Sequence, residues 1–202
     1  MVTDPLEFKA AVDGNVAAVE ALRAGPYTPP WPGCADPRHS ASGEDFAVVV
    51  LRVSRDFHGP HEDDEGDEGD DGSVRDATRE EFETELWGVV LALRKRWGPY
   101  ATVSPAPTYV RRDQEGRALP PLFEALWELG FDDLYVWEAD ARSVAVGLAQ
   151  AHREEPFRLF AAVTGAAGGF DVTARTDTAD AAHTARTHTT HTTRTDATGP
   201  EA

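Results

Sequence analysis

Eight consecutive residues constrain the fold more than any others in this chain: Phe46-Ala47-Val48-Val49-Val50-Leu51-Arg52-Val53. The run is apolar almost without interruption and rich in β-branched side chains, so it reads as a strand. A strand with one wet face alternates apolar and polar residues. This one does not, and is expected to be buried on both faces, near the centre of a sheet. The rest of the domain has to be built around it.

Ahead of that strand the pattern is helical. Asp4 serves as N-cap, Pro5 occupies the first helical position and Glu7 completes a capping box. Phe8, Val12, Val16, Val19 and Leu22 follow at helical spacing until Gly25-Pro26. Gly14-Asn15 predicts a break or kink midway. Residues 26–45, rich in Pro and Gly, predict an extended connection with Tyr27 and Trp31 held on the domain surface. A longer helix is expected from about Asp76 to Trp97. Thr78 and Glu81 form its capping box, and acidic residues lead it while Arg94, Lys95 and Arg96 close it. Phe82, Leu86, Val89, Val90, Leu93 and Trp97 share one face, and Gly98-Pro99 stops the helix.

Tyr100 to Arg112 reads as extended, with Pro105 and Pro107 restricting it to an edge or interrupted strand. A third helix spans about Pro120 to Leu129 and ends at Gly130. Leu134–Trp137 and Ser143–Leu148 flank a polar turn around Asp140 and predict a hairpin, and Pro156–Val163 predicts a last strand. This order predicts an α+β domain over residues 1–165, with about three helices packed on one face of a mostly antiparallel sheet of about five strands.

Two stretches are expected to stand outside that core. Residues 58–73 hold eight acidic residues between Glu62 and Asp71, too polar to offset the entropy of ordering, and predict a disordered acidic loop. From residue 166 the chain becomes rich in Thr, Ala and His and predicts a disordered tail. Near the N-terminus, Ala10-Ala11-Val12-Asp13-Gly14-Asn15 with Val19, Leu22 and Gly25 resembles the helix-turn-helix part of an ankyrin repeat. Ankyrin units need stacked neighbours, and no second copy follows. The residues therefore read as an ordinary helical hairpin or kinked helix.

Charge narrows the partners. With 36 Asp and Glu against 19 Lys and Arg, the net charge is −17. Such a surface repels phosphate backbones and anionic membranes and attracts basic proteins. No nucleic-acid or membrane partner is expected. The first residues lack the pattern of an export signal, no apolar run reaches membrane-spanning length, and the single cysteine, Cys34, cannot form an intramolecular disulfide. The expected location is cytoplasmic.

Motifs for chemistry do not emerge. His58 and His61 precede the acidic run, but the run lacks the alternation of an EF-hand. Cys34 and His39 fall short of a zinc set, and His183, His188 and His191 lie in the tail. Cys34 and His152 are the candidates for thiol catalysis, without a nucleophile elbow or phosphate loop in the chain. No cofactor and no metal are expected. Acidic residues do gather near the third helix and the hairpin: Glu124, Glu128, Asp132, Asp133, Glu138 and Asp140. Aromatic residues interleave with them and could anchor a partner. The candidate binding set is Trp127, Glu128, Asp132, Asp133, Tyr135, Trp137 and Glu138. It predicts a non-enzymatic interaction protein with an acidic face for a basic partner, of which an immunity or antitoxin-type protein masking a cationic bacterial toxin is one form. The alternatives are an enzyme using carboxylates as acid and base, and a structural accessory domain.

Overall fold

The computed structural model describes residues 4–57, 72–116, 118–165 and 169–170. Helix α1 (Pro5–Ala24) starts as its sequence dictates, with the Asp4 carboxylate accepting the Leu6 N–H at 2.8 Å. The break expected at Gly14-Asn15 is absent. Asn15 is buried, and its side-chain amide donates to Glu85 at 2.7 Å, a contact to the neighbouring helix that keeps a poor helix former inside α1. Of the two forms expected, a helical hairpin or a kinked helix, the hairpin is excluded by one helix that runs through Gly14-Asn15, and the likeness to an ankyrin unit stops there.

Strands β1 (Ala41–Ser42) and β2 (Phe46–Val53) follow, then helix α2 (Ser73–Trp97), strand β3 (Ala101–Val103) and a short helix α3 (Ala106–Tyr109) that runs into a π-helical turn (Val110–Gln114). Helix α4 (Pro121–Leu129) and strands β4 (Phe131–Ala139), β5 (Arg142–Ala149) and β6 (Arg158–Thr164) complete the order. The strands form one sheet, β1-β2-β6-β5-β4-β3, antiparallel at every pairing. The α+β class and the antiparallel sheet are as the sequence predicts. The burial of β2 along most of its length is also as expected, but β2 stands second from the edge, beside the two-residue β1, while β6 and β5 take the centre of the sheet.

The helices, however, do not share one face. Along β2, Ala47, Val49 and Leu51 pack with α1 and α2, whereas Phe46, Val48 and Val50 pack with α4. Strand β6 divides the same way, with Leu159, Ala161 and Val163 on the first face and Phe160 and Ala162 on the second. A central strand apolar on both sides needs cover on both sides, and the short α4 supplies the second layer. Helix α1 lies close against α2 because position 88 is glycine: a Cβ there would sit 2.7 Å from a Val12 methyl.

Three boundaries differ from expectation. Helix α2 begins at Ser73, inside the span expected to be an acidic loop, and Thr78 donates to the Val74 carbonyl at 2.7 Å instead of forming a capping box. Residues 106–114 are helical where an extended stretch was expected, because Pro107 falls in the first turn of α3, where its missing N–H costs nothing. Phe170, expected in the tail, is fully buried in the α4-side core. The remainder of the expected disordered segments lies outside the described residues. Among those residues no helix is long and apolar enough to cross a membrane.

Candidate binding face

The site begins with an irregularity in β4. Its pairing with β5 runs Tyr135 to Val146 and Leu134 to Gly147, then Phe131 to Ala149. Three steps along β4 match two along β5, so β4 carries one extra residue, a β-bulge. Phe131 and Leu134 consequently face the same way, and both are buried on the α4 side. The residues between them, Asp132 and Asp133, are left opposite Leu148, whose side chain belongs to the α1–α2 side. Two adjacent carboxylates are thereby turned toward α2.

Helix α2 meets them with a stripe at four-residue spacing: Arg79, Glu83, Trp87 and Leu91. Arg79 donates through Nε to Glu83 at 2.7 Å and through its terminal nitrogen to Asp132 at 3.1 Å. One turn further on, Trp87 is 44% exposed and Leu91 is 57% exposed. The Trp87 ring lies 5.2 Å from that of Tyr135. Tyr100 packs edge-on against Tyr135 at 5.3 Å and against Trp137 at 5.5 Å. Thr102 of the edge strand β3 stands opposite Tyr135.

The electrostatics of the face follow from crowded negative charge. Burial raises the Asp132 pKa, Arg79 opposes this, and Asp133 and Glu83 add to it. Burial pushes the Tyr135 hydroxyl up to about 12, with Asp133 the next cause. It therefore remains a hydrogen-bond donor. The hydrogen bond to Glu83 raises the Arg79 pKa, and Asp132 reinforces the shift. Asp133 has no ion-pair partner among the described residues.

Of the seven residues singled out in the sequence, this face unites Asp132, Asp133 and Tyr135. Trp137 points the same way but is only 1% exposed, donating its indole N–H to the Gly98 carbonyl at 3.1 Å. It supports the face from beneath and cannot touch a partner. Trp127 packs on the opposite side of the sheet, against Tyr109 at 4.4 Å and under Arg112 at 5.0 Å, and exposed Glu128 adjoins it on α4. Glu138 accepts from Ser143 at 2.7 Å and, two residues beyond Val136, also lies on the α4 side. Arg79, Glu83, Trp87, Leu91 and Tyr100 did not stand out. The available signal was the stripe Glu83–Trp87–Leu91, which lies off the main apolar face of α2.

Cys34 and His39 are tied into local structure, His152 is exposed, and His58, His61, His183, His188 and His191 lie outside the described residues. Cys34 Sγ is 3.4 Å from the Ser40 hydroxyl, and Ser40 also donates to the Asp36 carbonyl at 2.7 Å. His39 Nδ1 lies 2.6 Å from Asp36 and its Nε2 is 3.4 Å from buried Arg158. Burial works to raise the Asp36 pKa, but the hydrogen bond and charge of His39, with backbone N–H groups, hold it low. A cavity of about 1020 Å³ lies elsewhere, bounded by Pro5 and Phe8 of α1 and by Ala77, Glu80, Glu81 and Thr84 of α2. Asp132, the carboxyl whose proton affinity burial raises, does not line it. Comparison of the chain with protein families, curated proteins and solved structures finds no match.

Proposed function

We propose that this is an interaction protein that binds a basic protein partner through the face formed by α2 and β4. The observation that carries the reading is exposed Trp87 packed on Tyr135 of β4, the strand whose bulge presents Asp132 and Asp133 on the α2 side, with exposed Leu91 one turn further along α2. Large exposed apolar side chains next to uncompensated charge suit association better than solvation. Tryptophan and tyrosine frequently dominate binding energy at such surfaces. With a net charge of −17, the molecule attracts a basic partner from a distance, and the face orients it on arrival. An immunity or antitoxin-type protein that masks a cationic toxin is one concrete form of this role.

The test compares the full chain with a variant carrying Trp87→Ala, Asp132→Asn and Asp133→Asn, each used as bait in a host lysate at low and at high salt. The expected result is a basic protein retained by the natural chain at low salt, weakened at high salt and lost with the variant. Equal recovery by both baits would place any binding outside this face.

A further inference from the structure

Arginine is used repeatedly in this molecule in one arrangement, stacked on an aromatic ring and paired with a carboxylate. Arg52 lies over Phe82 at 4.4 Å and pairs with Glu81 and Glu85. Arg112 lies over Trp127 at 5.0 Å and pairs with Glu124. Arg23 lies over Trp97 at 5.2 Å and pairs with Asp140 at 3.1 Å. At Trp87 the exposed ring packs on Tyr135, whose neighbour along β4 is the Asp133 carboxylate, and the guanidinium is missing. Among the described residues no cation lies over Trp87 or Tyr135, and Asp133 beside Tyr135 has no ion pair. Arg79, two turns back along the same stripe of α2, is engaged by Glu83 and Asp132.

We infer that the partner supplies this missing group: an arginine whose guanidinium lies on the exposed Trp87 indole and pairs with Asp133. This rests on the reading of the α2–β4 face as a site for a basic protein. Charge selects a cation there, and the ring selects between cations. A guanidinium is planar and weakly hydrated, so it stacks on indole while its fork engages a carboxylate. A lysine ammonium is compact and strongly hydrated, and gains less from the ring.

Two synthetic peptides of equal length test this, one alternating arginine with glycine and the other lysine with glycine. Their dissociation constants are measured on the full chain and on Trp87→Ala, Trp87→Phe and Asp133→Asn. The arginine peptide is expected to bind the natural chain roughly threefold tighter or more, the scale of one exposed cation–π contact. The preference should vanish in Trp87→Ala, shrink in Asp133→Asn and survive in part in Trp87→Phe, which retains a ring should the alanine variant fail to fold. Equal binding of both peptides, weakened by the same substitutions, would overturn the arginine inference and leave the basic-partner reading standing. An arginine preference unchanged in every variant would place the contact elsewhere and overturn it too. Binding of neither peptide at low salt would overturn both readings.

Discussion

Tyr135 concentrates the chemistry of the face in one side chain. Its ring braces Trp87 and Tyr100, while burial and the neighbouring carboxylates resist loss of its proton. The folded-state pKa, about 12, stands above the ordinary 10.0. The sign follows directly: the unfolded chain gives up this proton first. The stabilisation is complete below the ordinary value and is lost as pH rises from there through about 12. An alkaline titration followed by phenolate absorbance should therefore show a transition near 12 that disappears in Tyr135→Phe. Disappearance of a transition near 10 instead would mean that the hydroxyl is not enclosed by the face. Asp132 and Asp133 stand out in the sequence, but their neighbours in space do not. Which groups surround Asp132 depends on residues 79 and 83 of α2, far from it in the chain.

At the scale of elements, α2 does two jobs with different sides. Phe82, Leu86, Val89, Val90 and Leu93 fill the core, and this side was plain from the 3.6-residue period alone. The side carrying Trp87 and Leu91 faces outward beside β4. Between them Gly88 receives α1, and the fit is close enough to test. Gly88→Leu should drive a side chain into Val12 and Phe8 and destabilise the fold by about 1–3 kcal/mol, the usual cost of overpacking. Urea denaturation measures this, and no loss of stability would mean that α1 is not seated on α2 at this point. Elements also decide how a partner can approach. The sheet ends at β3, only three residues long and bracketed by Pro99 and Pro105. A short edge flanked by proline discourages strand addition. Contact through side chains of the α2–β4 face is the route this architecture favours.

For the whole molecule, negative charge bears on stability and on the proposed association. At −17, like charges repel within the compact state, and added salt screens that repulsion. The melting temperature should rise between low and moderate salt, even as affinity for a basic partner falls. Calorimetry over a salt series checks the first of these, and a melting temperature that falls with salt would show that ion pairs such as Arg52 with Glu81 and Glu85 outweigh the net repulsion. Much of the frame is legible in short stretches of sequence: the α+β order, the doubly buried β2, the capped start of α1, the core side of α2 and the acidic field. Caps and periodicities are read over a few residues, and charge simply adds. Tertiary structure decided the rest. The apolar run in β2 already required cover on both faces, yet only packing showed that α4 provides the second layer. Asn15 stays inside a helix because Glu85 receives it. Asp132 reaches Arg79 of α2 because β4 holds one residue more than β5 can match, and a register exists only between two paired strands.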